Sequence, residues 1–204
     1  MQRVFFIAVC LWASLFLFSV AEAEQQDPLQ LVQQTTTEIF DAVENKRAQI
    51  DKDSNLLYEL TNKIIVPHFD FVSISKWALG KNWRKASKEQ KLRFIRAFRQ
   101  LMVRVYGIAL LEYNGNKIKY LPVRGDLGNG DVTVRTHFLQ KGKPPVTINY
   151  SLHLKRDAWK VYDVSVEGVS IVATYRTSFA SEVRQSGLDA LIERIEEKNK
   201  KGSS

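Results

Sequence analysis

Cysteine is nearly absent from this 204-residue chain: the one copy, Cys10, lies inside the apolar run Val4–Val20. Once that run is removed as a leader, the rest has no disulfide, no thiol nucleophile and no thiolate metal ligand. Cys10 follows Val9 rather than a small residue, so it is not read as a lipid-anchor site. Histidine is scarce too, with only His68, His137 and His153. No Cys, Asp or Glu stands at metal-ligand spacing around them, so no metal site is expected. There is no Gly-x-Ser-x-Gly elbow, phosphate loop or dinucleotide fingerprint, and no cofactor is expected. Gly125–Gly130 has glycines but lacks the strand-to-helix setting of a phosphate cradle. No internal repeat and no low-complexity linker divides the chain.

The chain opens on a leader. Arg3 supplies a positive start, Val4–Val20 is nearly all apolar, and Ala21-Glu22-Ala23 has small-x-small cleavage spacing. The run is short for a membrane span and no basic stop-transfer cluster follows it. We therefore expect residues 1–23 to be a cleaved signal peptide and residues 24–204 a single domain, long enough to build a core without disulfides. An exported chain without disulfides suits a bacterial periplasm. Lys and Arg number 30 against 22 Asp and Glu, a net charge of +8. The leader carries Arg3 and Glu22, one of each sign, so its loss leaves that charge unchanged. The balance favours anionic partners, lipid head groups or an acidic protein surface; nucleic acid is not expected for an exported protein. The densest basic run, Lys76, Lys81, Arg84, Lys85, Lys88, Lys91 and Arg93, interleaves with Trp77 and Trp83. We read it as a solvated face or docking surface rather than a base-stacking platform.

Four helices are expected first. Asp27-Pro28 opens one, with Leu31, Val32, Ile39, Phe40 and Val43 as its buried stripe. Another starts at Ser54, turns Leu56, Leu57, Leu60, Ile64 and Ile65 inward, and stops at Pro67. Asp70 caps a third, which carries Phe71, Ile74, Trp77 and Ala78 and ends at Gly80. Ser87 to Gln90 forms a capping box for the longest, which runs to about Tyr113. Its main apolar face reads Leu92, Ile95, Phe98, Met102, Val105, Tyr106 and Ala109, flanked by Phe94, Leu101 and Ile108. Arg99 falls inside that arc.

After a turn at Asn114-Gly115-Asn116 the period changes to two. Strands are expected at Ile118–Val123, Val132–Leu139, Val146–Lys155 and Trp159–Val166, with a loop at Gly125–Gly130 and a hairpin connection at Lys141–Pro145. Pairing through that connection sets His137 opposite about Asn149 and His153 opposite about Thr133. Val161, Tyr162, Val164 and Val166 present apolar groups on both faces of the last strand, so it is covered on both sides. Asp163 interrupts it, as a buried acid or at a bulge. A turn at Glu167-Gly168 leads into a helix with Val169, Val172, Ala173, Arg176 and Ala180 on one row and Ile171, Tyr175, Ser178 and Phe179 on the next. A last helix spans Leu188–Lys198 and a frayed tail follows. Segregated helices and strands define an α+β fold, helices packed on a twisted four-stranded antiparallel sheet.

Three stretches bear a resemblance to a known family. They are His68–Trp83 with Phe-Asp-Phe and Leu-Gly-x-x-Trp, the helix Lys88–Tyr113, and Asp163–Phe179 with Val-Glu-Gly-Val-Ser and Tyr-Arg-x-x-Phe. Together they resemble the MlaC-type periplasmic phospholipid-binding proteins, once called toluene-tolerance proteins, over nearly the whole chain after the leader. The resemblance implies a plan broadly like the NTF2 cone and no catalysis. It implies a carried glycerophospholipid with buried acyl chains and an exposed head group. The implied partners are an outer-membrane lipoprotein complex and an inner-membrane MCE-type ABC transporter, served by a monomeric carrier that maintains outer-membrane lipid asymmetry.

Physical chemistry gives that implication a requirement. Two acyl chains expose roughly thirty methylenes, each worth about 0.8 kcal/mol on burial, so a carrier needs an apolar cavity near or above the upper end of the usual size range. We expect it between sheet and helices. The expected lining is Phe98, Leu101, Met102, Val105 and Tyr106 from the long helix, with Val132, Val134, Phe138, Ile148, Tyr150, Leu152, Val164 and Val166 from the sheet. Val169, Val172, Tyr175 and Phe179 complete it. Two other readings stay open: an enzyme acting in a cone-like pocket, with Asp163 and Tyr106 or His68 as its titrating pair, and an adaptor whose interior is solid core.

Overall fold

A computed structural model describes residues 26–112, 117–139 and 142–201. The leader expected over residues 1–23 and the turn expected at Asn114-Gly115-Asn116 lie outside the described residues. The helices are α1 (Pro28–Asn45), α2 (Arg47–Ile50), α3 (Asn55–Ile64), α4 (Phe71–Leu79), α5 (Lys81–Lys85), α6 (Lys88–Gly107) and α7 (Ile171–Lys201), with 3₁₀ turns at Val66–His68, Leu127–Asn129 and Ile108–Glu112. Local chemistry sets the starts. Asp27 accepts from the Gln30 amide at 2.9 Å ahead of Pro28. Ser87 Oγ accepts from the Gln90 amide while Gln90 Oε1 accepts from the Ser87 amide, a complete capping box.

The strands are β1 (Ile118–Tyr120), β2 (Arg124–Asp126), β3 (Asp131–Phe138), β4 (Val146–Lys155), β5 (Ala158–Val166) and β6 (Val169–Ser170). Their order is β1-β3-β4-β5-β6, with β2 also on β3, all antiparallel. The sheet thus has two short strands beyond the expected four. β2 falls where a glycine loop was expected, and β6 forms because Val166 and Val169 pair across a two-residue turn. Glu167 and Gly168 both take positive φ there, 50° and 79°, which matches the right-handed twist of a tight hairpin. His137 pairs with Thr147 and His153 with Asp131, two positions from the expected register. A two-residue slip keeps every side chain on its expected face, because the strand period is two.

Three core clusters support the molecule. Ile74, Phe94, Phe98, Leu101, Val172, Phe179, Leu191 and Ile195 pack α4, α6 and α7 together. Leu31 and Val32 of α1 meet Val132, Val134, Leu152 and Val161 of the sheet. Ile39, Val43, Leu57, Leu60 and Ile64 join α1 to α3.

The buried face of α6 is not the expected one. It is Phe94, Ala97, Phe98, Leu101 and Val103, while Leu92, Val105 and Tyr106 are exposed. The face expected as a flank is the core face, because Phe94 and Phe98 pack edge-to-face with Phe179 and, for Phe98, also with Tyr175, at 5.0–5.6 Å. Arg99 is therefore on the exposed side and needs no special account.

α7 is two arms. Gly187, at φ 86° and ψ 169°, breaks it in a conformation that glycine alone takes readily. The second arm, expected as a separate helix, is held to α6 by Arg93–Glu196 at 2.8 Å and by Asn199 Nδ2 donating to the Ala97 carbonyl at 2.9 Å. Arg194 pairs with Glu182 across the break.

Gly80, between α4 and α5, has φ 54° and ψ −124°, and a Cβ there would lie 3.1 Å from Arg176 Nε. Gly80→Ala is expected to cost about 1–3 kcal/mol, because strained backbone adds to the close approach. Urea unfolding measures it, and a loss under about 0.5 kcal/mol would contradict this account.

Candidate functional site

The three clusters do not meet in the middle. Between them lies a cavity of about 300 Å³, at the lower end of the usual range for ligand pockets and smaller than the sequence reading expects. α1 contributes Leu31, Val32, Thr35, Thr36, Ile39 and Phe40. Thr61 and the segment after α3, with Ile65, Val66, His68, Phe69 and Phe71, form a second wall. α6 and its 3₁₀ extension supply Met102, Val103, Tyr106, Gly107, Ala109 and Leu110. The sheet supplies Ile148, Tyr150, Val161, Val164 and Val166, and α7 begins at the cavity with Ile171. Tyr106, Ala109 and Val166 are the lining residues most open to solvent, so the opening lies between the end of α6 and the β5–β6 hairpin.

The wall carries no charge at neutral pH. Among the described residues no Asp, Glu, Lys or Arg lines it. Burial and the neighbouring Lys160 charge push His68 below its ordinary value, against a smaller opposite pull from Glu38, so its ring is neutral. Burial raises Tyr106 and pushes Tyr150 up to about 12. Thr36 and Thr61 turn their hydroxyls onto their own helices, donating to Val32 O at 2.6 Å and Leu57 O at 2.8 Å. A neutral wall whose hydroxyls are satisfied elsewhere favours hydrocarbon over a charged or strongly hydrogen-bonding ligand.

Of the residues expected to line a cavity, Met102, Tyr106, Ile148, Tyr150, Val164 and Val166 do so. The others do not. Phe98, Leu101, Val172, Tyr175 and Phe179 fill the α4–α6–α7 core instead, and Val132, Val134 and Leu152 fill the core under α1. Phe138 ends β3 between Ile118 and Val146, while Val105 and Val169 face solvent. The physical reason is common to all: an apolar face looks alike in sequence whether a neighbour fills the facing space or leaves it open. Sequence reasoning missed the contribution of α1 and of Ile65–Phe71. The adjacent Thr35-Thr36 beside the α1 stripe is the one signal present, since a β-branched residue such as Thr36, whose hydroxyl donates to its own helix, suits a cavity wall.

The candidate catalytic groups are not brought together. Asp163 does not line the cavity. Its Oδ1 accepts from the amides of Val164 at 2.9 Å and Val172 at 3.2 Å, so it ties the sheet to the first turn of α7. The β5 bulge expected near it is at Tyr162, since Ser151 pairs with Asp163 and Leu152 with Val161. Tyr106 hydrogen-bonds Tyr175.

Asp70 is the most constrained acid beside the cavity. It is 6% exposed and caps α4 by accepting from the Ser73 amide at 3.1 Å. Its Oδ2 accepts from Lys155 Nζ at 2.6 Å and Ser73 Oγ at 2.7 Å, with His153 Nε2 at 3.1 Å. Burial alone would push this carboxyl up. The hydrogen bonds from Lys155 and Ser73, with the Lys155 charge, outweigh it and hold the group at about 2. The Asp70 amide donates to Val161 O at 2.9 Å, and Lys160 Nζ donates to Pro67 O at 2.7 Å. The wall segment His68–Phe71 is thereby strapped to β4 and β5.

Helices over one face of an antiparallel sheet, with an open uncharged cavity between them, define the class: an α+β protein built to enclose an apolar ligand. The family model described as "MlaC protein" matches residues 33–197, and the chain belongs to that family. It is 31% identical over 173 residues to a Pseudomonas putida protein named toluene tolerance protein ttg2D, covering 84% of this chain and 80% of the relative. It is 25% identical over 186 residues to the Haemophilus influenzae intermembrane phospholipid transport system binding protein MlaC, covering 89% and 86%. A solved phospholipid-binding protein from Ralstonia solanacearum, in complex with a phospholipid, has the same fold. Its TM-score is 0.80 at 25% identity, covering 88% of this chain and all of that one.

Proposed function

We propose that this protein is a carrier of glycerophospholipid, with acyl-chain hydrocarbon in the cavity, which at about 300 Å³ must widen to take both chains whole, and the head group outside the opening at Tyr106, Ala109 and Val166. The observation that carries the reading is the uncharged wall of an open cavity, in a chain that matches its phospholipid-bound structural relative over nearly its full length. Burying methylenes at about 0.8 kcal/mol each is what lets a lipid leave a bilayer for a protein. A head group left in water needs no dedicated recognition motif, and none is found in the sequence.

The same reading sets the protein in the periplasm, passing lipid between an outer-membrane lipoprotein complex and an inner-membrane MCE-type ABC transporter. Three things support it: the signal-like first 23 residues, the name of the Haemophilus relative, and a net charge of +8 suited to anionic partners. Among the described residues no helix is long and apolar enough to cross a membrane. In this role the residues His68, Tyr106 and Asp163 hold and line; they perform no chemistry.

Native mass spectrometry of gently purified protein tests the reading. The expected result is an added mass equal to one or more glycerophospholipids, identified by extraction. A clean lipid-free mass, with no uptake from donor vesicles, would overturn it.

A further inference from the structure

A second depression, of about 360 Å³, is lined by Phe69, Asp70, Lys155, Arg156, Ala158 and Lys160. The β4–β5 hairpin builds most of it. His153 pairs with Lys160, and Lys155 stands two positions beyond His153, so the two lysines rise on one face of the sheet. Arg156 and Asp157 form the two-residue turn between the strands, at φ 50° and 62°. Asparagine and glycine are the usual occupants of such a turn. An arginine held there costs conformational energy and points to a role for its side chain. Phe69 lines both this depression and the apolar cavity, so it stands between them.

Three cations against one acid leave the lining with a local charge of +2. The acid, Asp70, is already bonded to Lys155, Ser73 and His153. Asp157 does not line the depression. Each ammonium carries three donors. Lys155 uses one on Asp70 at 2.6 Å, and Lys160 uses one on the Pro67 carbonyl at 2.7 Å. Arg156 has no hydrogen-bond or ion-pair partner among the described residues, so its guanidinium donors are all open.

We propose that this depression binds the phosphate group of a small ester, with Arg156, Lys155 and Lys160 as its donors. A carboxylate holds two oxygens in one plane. A phosphate carries its oxygens round a tetrahedron and can meet cations that arrive from a turn and from two strands. Guanidinium grips it bidentately and each ammonium acts as a point charge. Phe69 and Ala158 give the lining an apolar side, which suits the carbon part of an ester over a bare ion. The head group of the carried lipid is not this ligand. Val166 at the cavity opening and Ala158 at the depression are the two ends of β5, about 25 Å apart at roughly 3.3 Å per residue. The site therefore stands independently of the carrier reading.

Titration followed by amide chemical shifts tests it, on both lipid-stripped and lipid-loaded protein. The probes are glycerol 3-phosphate and glycerophosphoglycerol, the soluble head group of phosphatidylglycerol. Saturable shifts centred on Phe69, Asp70 and residues 155–160 are expected, with similar affinity in both preparations. Tighter binding of the monoester assigns the site to a soluble phosphate ester, and tighter binding of the diester assigns it to the head group of a separate lipid; either supports the proposal. Arg156→Gln is expected to weaken binding by about tenfold, Arg156→Lys by less, and Asp157→Asn not at all, because one charge-assisted contact is lost only in the first. All three are expected to melt no earlier than wild type and to keep the bound-lipid mass. No saturation by about 10 mM, equal shifts from sodium chloride of matched ionic strength, or an Arg156→Gln variant that binds as well as wild type would overturn the proposal. So would a polyglutamate peptide that binds more tightly than both esters and depends on Arg156, since the depression would then be a docking point for an acidic protein. Carriage is read separately, from the bound-lipid mass, which none of these titration outcomes decides.

Discussion

Val164→Trp is expected to abolish lipid carriage while leaving the protein as stable as wild type. Val164 lies on β5, half-buried at the edge of the core under α1, with the cavity beside it. An indole there extends into open space, so it removes volume that acyl chains would fill. In a packed core the same enlargement forces neighbours off their rotamers and costs typically about 1–3 kcal/mol. Val132→Trp is the control. Val132 is on the same sheet, 1% exposed, and packed under Leu31 and Val32 of α1. The pair should therefore separate: Val132→Trp loses stability, whereas Val164→Trp loses bound lipid by about tenfold or more and melts no earlier than wild type. Denaturant titration and native mass spectrometry read the two effects. If Val164→Trp is as destabilising as Val132→Trp, the interior is filled and the carrier reading loses its footing.

Removing Asp70 should be the most damaging single polar change. Asp70→Ala deletes the α4 cap, worth about 1 kcal/mol, and the charge-assisted bonds from Lys155 and His153, worth about 1.5–3 kcal/mol each before screening. Lys155 is 44% exposed and can recover water, which lowers its share. A total near 3 kcal/mol is expected. Asp70→Asn keeps a capping oxygen and should cost about 1–2 kcal/mol.

Its signature is in the pH profile. The folded carboxyl sits at about 2, below the ordinary 3.8, so the unfolded chain binds the proton more readily. That difference stabilises the folded state by about 2 kcal/mol above the unfolded value, and the contribution is lost as pH falls from about 5 toward 2. The stability gap between wild type and Asp70→Asn should then shrink across that window. A gap that stays constant from pH 7 to pH 2.5 would show that Asp70 acts through shape alone. Because Asp70 positions Phe69 and Phe71 on the cavity wall, lipid retention should weaken in step with stability.

These two residues also mark how far the chain could be read before folding. Asp70 was legible as a helix cap, since Asp before Phe71-Val72-Ser73-Ile74 is a local pattern with a local cause. Its bonds to Lys155 and His153 were not, because those partners are more than eighty positions away and only the β4–β5 hairpin brings them near. The histidine that meets Asp70 is His153, brought by the sheet, rather than His68 two positions away. The long helix is a similar case. Its start was legible from the capping box, but the helix expected to reach about Tyr113 stops at Gly107, and its buried face was misread by about one flank. The apolar arc is wide, and only the aromatic cluster of Phe94, Phe98, Tyr175 and Phe179 decides which part faces inward.

Sequence alone determined the α+β order, the helix starts and the faces of β3 and β4, all of which depend on neighbours within a turn or a strand. It also carried the family, through motifs read in order along the chain. Tertiary structure alone decided that an open space remains between α1, α6 and the sheet, which apolar residues border it, and where it opens. Those follow from how distant surfaces fail to fill the volume between them, and a one-dimensional pattern of apolar residues is the same whether that volume is full or empty.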